Sequence, residues 1–310
     1  MRTSGTLLCL GSGAAFGAMG VFGKLAYAQG ATVGTLLSVR FALAAVVFWG
    51  LVLAGRPARA RLRALPRRDV AAGLALGAAA YALQAGCYFA ALSRIDASLL
   101  ALLLYTFPVM VAVAAALLGR ERLDARRGAA LALASGGGAL VVAGAGAGGI
   151  EPLGAALGIA AAVVYTAYIL IGEGLAARVA PGVLSALVCT GAAVSLATGS
   201  ALLGELRPGA LTVAGWGWIA GLALVSTVVA IGLFFAGLPR VGPGAASILA
   251  TVEPVVTVLL AFAAFGETLA PVQLAGGALV LSAVVVLEAR PPRAVPAIID
   301  RTPATARTTA

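Results

Sequence analysis

Long unbroken apolar runs, punctuated by short segments rich in Gly, Pro and Arg, set the pattern of this chain. The runs do not alternate apolar with polar, so they do not read as barrel strands, and only helices or closed barrels satisfy their backbone in lipid. A run of about 20 residues crosses a hydrocarbon layer roughly 30 Å thick. On that ruler the pattern predicts ten helices, at 5–27, 33–54, 70–92, 97–119, 128–145, 153–172, 182–203, 213–236, 244–265 and 271–289. The expected class is an all-α membrane fold, with short connections that make neighbours antiparallel. Cys9 lies in a Leu-Leu-Cys-Leu-Gly context, but Leu8 stands where a lipoprotein signal needs a small residue. The run also continues past a signal peptide's length, so it reads as a retained first span.

The pattern repeats. Tyr88–Leu123 and Phe234–Leu269 superimpose without a gap at an offset of 146 residues. Ala and Leu identities are cheap in so apolar a chain. The rarer matches are not: Phe89/Phe235, Arg94/Arg240, Pro108/Pro254 and Glu121/Glu267. An internal duplication follows, with a first unit at 1–145, a second at 150–290 and a tail at 291–310 expected to be disordered. Five spans per unit is an odd number, so the second unit would enter the membrane upside down. Such inverted repeats are a recurrent device of secondary transporters, with cargo near the midplane.

Composition agrees with lipid as the outer solvent. Hydrophobic residues make up 62% of the chain and charged residues 10%, against roughly half and a quarter in soluble domains. A formal charge of +10 would suggest nucleic acid elsewhere. Here the cations sit in short loops and report topology. With the N-terminus inside, 17 Lys/Arg fall on that face and only Arg94 and Arg207 on the other. Both termini are therefore expected in the cytoplasm of a bacterial cell, with this chain in its inner membrane. Three isolated cysteines and the absence of histidine leave no expected metal site, cofactor, Ser-His-Asp triad or other catalytic set.

Charge within the spans is the sharpest clue, because an ionised side chain at mid-membrane costs about 2.5–3.5 kcal/mol on insertion scales. Lys24, Arg40 and Glu253 are the ones away from loop ends. Glu253, about ten residues into the ninth span, reads either as a carboxyl that couples cargo to proton movement or as a fixed partner of Arg40 or Lys24. Arg40 reads as a structural charge. Lys24 reads as snorkelling to the interface or as lining a cavity. Pro108 and Pro254 occupy equivalent positions and read as paired hinges or as static kinks. Tyr81, Gln84 and Tyr88, at i, i+3 and i+7, share one helix face. With Tyr105, Tyr165 and Tyr168 they form the candidate lining, and Ser226 and Thr227 join it. For any one residue, an interhelical hydrogen bond is the alternative. GxxxG pairs at Gly13/Gly17, Gly73/Gly77, Gly154/Gly158 and Gly217/Gly221 predict close helix packing.

Several of these residues resemble the drug/metabolite transporter superfamily, and within it the ten-span EamA family. The resemblance rests on Pro-x12-Glu at Pro108–Glu121 and Pro254–Glu267, the Glu253-Pro254 dipeptide, the first-span stretch ending in Lys24 and the Val39-Arg40-Phe41 triplet. Phe16 stands where the family's opening motif carries Trp, and Tyr165 where the second repeat would carry its own. The resemblance implies export or exchange of small metabolites, amino acids or drugs by alternating access. It also implies a central cavity lined by spans 1, 3, 4, 6, 8 and 9. The expected partners are a small-molecule substrate and the bilayer, with no nucleic acid, and the chain as a monomer or homodimer. A passive channel and, further off, a membrane-embedded enzyme are the competing classes.

Overall fold

The structure is a computed structural model describing residues 2–119, 125–143, 151–241, 246 and 249–288. Every regular element among these residues is helical. In chain order the main helices are α1 (Thr3–Ala28), α2 (Val33–Ala54), α3 (Arg67–Leu92), α4 (Ala97–Leu117), α5 (Ala125–Ala143), α6 (Pro152–Ala176), α7 (Pro181–Leu202), α8 (Val213–Val241), α9 (Val252–Phe265) and α10 (Pro271–Glu288). Seven are long and apolar enough to cross a membrane, while α5, α9 and α10 have shorter apolar stretches. Glu121, the tail at 291–310 and part of the expected start of the ninth span lie outside the described residues.

Local chemistry explains the ends. Thr32 and Thr212 accept from the backbone N–H of Thr35 and Gly215, and Glu151 accepts from Gly154 N–H. Each cap satisfies a donor that a helix start leaves unpaired. Proline opens α6 and α7, where its missing N–H costs nothing. Gly266, at φ 67°, closes α9 in the left-handed region that favours glycine. The third helix starts at Arg67, directly after Pro66, rather than at 70, and Asp69 in its first turn is buried and accepts from Arg178 at 3.3 Å. The sixth and eighth run to Ala176 and Val241, beyond the expected 172 and 236.

The packing of the two halves is reciprocal. Helix α1 lies along α8, and α6 lies along α3; α1 meets α9, and α6 meets α4. The pairs α2–α7, α5–α10 and α4–α9 each join equivalent helices. Exchanging the halves therefore maps the packing onto itself. Glycine permits the closest crossings. A Cβ on Gly77 would lie 2.1 Å from the Val188 carbonyl oxygen, and one on Gly191 would lie 2.1 Å from that of Leu74. Gly73, Gly13, Gly17 and Gly158 also face neighbouring helices, Gly154 faces Arg94 and Ile95 in the connection between α3 and α4, and Gly217 faces open space.

Polar contacts tie the same helices together: Ser12 donates to the Ala230 carbonyl (2.7 Å), Trp49 to Thr190 (2.9 Å) and Tyr27 to the Phe89 carbonyl (2.8 Å). The outside is apolar. Leu117, Leu202, Leu203 and Val213 each expose more than three-quarters of their surface, as expected where lipid is the solvent. Between α2 and α3 a short helix, Arg56–Arg63, rests Ala58 and Leu62 against the cluster around Val52 and Leu76 and leaves Arg56, Arg61 and Arg63 exposed.

Five helices depart from regular geometry, the first being α1, which is interrupted by a turn at Ala18. Helix α3 contains a π-helical turn at Leu76–Tyr81 and α8 one at Leu224–Val229. At the 146-residue offset the two turns overlap. Helix α4 is interrupted at Tyr105–Thr106, just before Pro108, and a turn at Thr251 precedes Pro254.

Candidate functional site

These irregular helices surround a cavity of about 580 Å³. It is lined from α1, α3, α4, α6, α7 and α8 and by Ala250 and Glu253 beside the α9 turn. The contribution of α7, through Pro181, Leu184, Ser185, Val188 and Cys189, lies beyond the expected lining spans. The cavity extends towards the end of the bundle where α7 begins and α8 finishes, at Pro181, Phe234 and Phe235.

Its walls are aromatic. Eight of the chain's 19 Phe, Trp and Tyr residues line it, far above their share of the sequence. Phe107 and Tyr165 stand 4.5 Å apart at their ring centres, Tyr165 and Tyr168 6.0 Å, and Tyr168 and Tyr81 5.1 Å. Tyr105 joins the row through Phe107 at 5.8 Å. Among the described lining residues, Glu253 is the one carboxylate or cation. A smaller adjoining chamber brings together Tyr81, Gln84, Tyr88, Arg40 and Glu253. The face of α3 formed by Tyr81, Gln84 and Tyr88 thus shares a chamber with the α9 carboxyl.

Proline shapes the acidic end. Pro254 has no N–H to give the carbonyl four residues earlier, that of Ala250. The Tyr105 hydroxyl reaches in from α4 and donates to that oxygen at 2.5 Å, and it also lies 3.1 Å from Glu253 Oε2. Thr257, one turn on, donates to the Gly17 carbonyl at 2.9 Å and pins α9 to α1. Pro108 lines the cavity directly, and Pro254 is buried.

Arg40 is buried and does not pair with Glu253. Its Nε donates to Thr227 Oγ1 at 3.0 Å, and its guanidinium lies 5.0 and 5.2 Å from the ring centres of Phe41 and Phe89. Aromatic faces and a hydroxyl partly replace the water it has lost. Thr227 belongs to the π-helical turn of α8, whose irregular register turns its hydroxyl towards α2. Ser226 and Thr227 are buried beside this contact and outside the lining of the cavity.

Lys24 stands elsewhere. It lines neither chamber; its ammonium pairs with Glu267 Oε1 at 2.6 Å and with Asp96 at 3.4 Å. Glu267 also accepts from Ala97 N (3.3 Å), Ser98 N (3.1 Å) and Ser98 Oγ (3.0 Å). One carboxylate thereby caps the start of α4 and holds the end of α1. Burial raises the Glu267 pKa, but the Lys24 hydrogen bond and the α4 N–H groups outweigh it and hold the carboxyl below its ordinary range. This lock closes the end of the bundle opposite the one towards which the cavity extends.

The sequence reading passed over Glu267 as a functional group, along with Phe16, Phe107, Phe234 and Phe235. In the sequence Glu267 stands out as the repeat partner of Glu121 and the end of a Pro-x12-Glu motif, with nothing to mark its partners.

An all-helical bundle with an apolar outer surface, two related halves and an aromatic internal cavity defines a multi-pass membrane transporter. The chain belongs to the EamA-like transporter family, which matches residues 3–143 and 152–288. A curated protein from Archaeoglobus fulgidus described as an uncharacterized transporter is 42% identical over 74 residues, a match spanning 24% of this chain and 27% of the relative's length. One solved crystal structure has the same fold, with a TM-score of 0.65 at 21% identity over 93% of this chain and 97% of its own.

Proposed function

We propose that this chain is a secondary active transporter that moves small organic solutes out of the cell, or exchanges them, by alternating access. In this reading ten spans form two inverted five-helix repeats in the bacterial inner membrane, with both termini cytoplasmic. The first unit covers 1–145 and the second 150–290, and cargo rests between them. The 17-to-2 division of Lys and Arg supports the orientation, and the reciprocal packing of the halves supports the repeat.

One observation carries the mechanism. A cavity large enough for a drug-sized solute extends to one end of the bundle, while Lys24, Glu267 and the start of α4 are bound together at the other. With both termini cytoplasmic, this supports reading the structure as an inward-facing state. Aromatic walls with a single carboxyl suit cargo with an apolar or aromatic body and a basic or hydrogen-bond-donating group, such as amino acids, aromatic cations and lipophilic drugs. Glu253 serves as the coupling carboxyl; Arg40 and Lys24, each with other partners, leave it free for that role. Pro108 and Pro254 act as the paired hinges.

Two measurements test this. Single cysteines replacing Leu118, after α4, and Thr268, after α9, are expected to react with a membrane-impermeant maleimide from opposite faces; reaction from the same face overturns the inverted repeat. In proteoliposomes, counterflow of a cargo found by screening, without pore conductance, is expected of the native chain. Glu253→Gln is expected to fold and to lose gradient-driven uptake. Conductance without counterflow would make the protein a channel.

A further inference from the structure

We infer that Tyr105 is a positioning residue that reports the protonation state of Glu253 to the proline break of α9. This rests on the reading of Glu253 as the coupling carboxyl, and it follows from counting protons. The tyrosine hydroxyl has one hydrogen and two acceptors within reach, the Ala250 carbonyl at 2.5 Å and Glu253 Oε2 at 3.1 Å.

When Glu253 is protonated, both contacts are satisfied: the carboxyl O–H donates to the tyrosine oxygen, and the tyrosine O–H donates to Ala250. When Glu253 loses its proton to water in the cavity, the carboxylate can only accept. It then draws the single tyrosine hydrogen away from Ala250. The Ala250 carbonyl has no replacement, because the N–H that would fill it belongs to Pro254 and does not exist. Ionisation of Glu253 therefore removes the tyrosine donor from the Ala250 carbonyl, beside the turn at Thr251, and the break becomes freer to bend.

The other groups around Glu253 do not compete for this part. Helix α3 presents Tyr81 and Tyr88, α6 presents Tyr165 and α2 presents Arg40. No hydrogen bond joins any of these four to Glu253 or to the Ala250 carbonyl among the described residues, and the Arg40 Nε is committed to Thr227. On α1, the residues lining the cavity are Ser12, Gly13 and Phe16; on α8 they are Ile231, Phe234 and Phe235. None of them carries a charge.

The test uses the full chain in proteoliposomes, with Cys9, Cys87 and Cys189 replaced by Ala and Ser185→Cys on the cavity wall as reporter of N-ethylmaleimide reactivity. Rates are corrected for thiolate formation with a free-thiol standard. Between about pH 5 and pH 8.5 the corrected rate of the parent is expected to change about fivefold, the population equivalent of one ordinary hydrogen bond. Glu253→Gln is expected to hold the acid-form rate throughout. Tyr105→Phe keeps the ring and removes the hydroxyl; it is expected to unfold at a temperature near the parent's and to show a flat profile. A Tyr105→Phe profile that still follows the parent overturns the relay. If Tyr105→Phe fails to fold, Pro254→Ala decides: by restoring the missing N–H donor it is expected to flatten the profile, and a profile unchanged by it overturns the relay. Counterflow measured on the same vesicles separates the two levels: its absence in the parent removes alternating access, whereas its presence with an unchanged Tyr105→Phe profile removes the relay alone.

Discussion

Replacing Glu267 by Gln probes the closed end of the bundle. The native carboxylate serves one ammonium, two backbone N–H groups and one hydroxyl, and its side chain is only 5% exposed. Glutamine offers one carbonyl oxygen and turns an NH2 group towards donors that need an acceptor. If the oxygen stays with Ser98, Lys24 loses its short contact but retains Asp96 at 3.4 Å and some solvent, since its side chain is 22% exposed. That loss is modest. The N–H left facing a donor costs about 1–3 kcal/mol, and losing a negative charge at the start of α4 costs about 0.3–1 kcal/mol more. A total near 3 kcal/mol against the closed end corresponds to a population change of about 100-fold, at 1.4 kcal/mol per tenfold.

The assay reads access from the lock side. Thr257 lies between Glu253 and the lock, is buried and faces the Gly17 carbonyl. In a background without native cysteines, Thr257→Cys is expected to react slowly with a maleimide added at the lock face. Adding Glu267→Gln is expected to raise that rate by one to two orders of magnitude, as scaled above, while reaction at Ser185→Cys falls. An unchanged Thr257→Cys rate in a folded double variant would mean that the ion pair decorates the closed end without holding it.

Because the Glu267 carboxyl is held below its ordinary range in the closed state, its contribution is fully present above the free carboxylate value of about 4.3 and is lost as pH falls through the depressed value. In a Glu253→Gln background, which removes the titration of that carboxyl, lock-face labelling should therefore stay flat from neutral pH down to about 5 and rise only in stronger acid; a rise near neutrality would refute the assignment. Gly77→Ala would place a Cβ 2.1 Å from the Val188 carbonyl oxygen, whereas Gly86, on the same helix, has nothing within 4 Å. Thermal unfolding in detergent should show Gly77→Ala destabilised by about 1–3 kcal/mol and Gly86→Ala unchanged or slightly stabilised; equal effects would refute the crossing.

How far the sequence alone discloses this architecture depends on the range of the physics involved. Membrane helices are legible because lipid demands some 20 consecutive apolar residues, a local property. The Tyr81–Gln84–Tyr88 face is legible for the same reason, since helical spacing places its members together without reference to the rest of the fold. Lys24 is not, because its partner Glu267 lies 243 positions away on a loop and nothing local marks the pair. The π-helical turns are silent as well. Leu-Gly-Ala-Ala-Ala-Tyr carries no sign that its register will slip, because the extra residue is set by packing against α6 and α7. Phe107 and Phe234 read as ordinary apolar positions until the bundle turns them onto one cavity.

The irregular backbone is distributed in a way that bears on how the bundle could move. An uninterrupted helix resists bending because each hinge must break hydrogen bonds that the membrane cannot replace. At a proline or a π-helical turn part of that cost is already met in the resting structure. The defects lie in α1, α3, α4, α8 and at the start of α9, all around Glu253, and those of α3 and α8 and of α4 and α9 recur at overlapping or matching positions of the two halves. The α2–α7 and α5–α10 pairs contain none of them and are joined elsewhere: by Trp49 to Thr190 in the first pair, and in the second by glycines 137 and 276, whose added Cβ atoms would each lie 2.6 Å from the other's carbonyl oxygen. Arg40 crosses from the regular α2 to the π-helical turn of α8 through Thr227, linking a stiff element to a pliable one. A bundle needing only static kinks has no reason to confine them to the helices that touch the cavity. Confinement follows directly if those five helices bend against a fixed frame each time the cavity changes the face to which it opens.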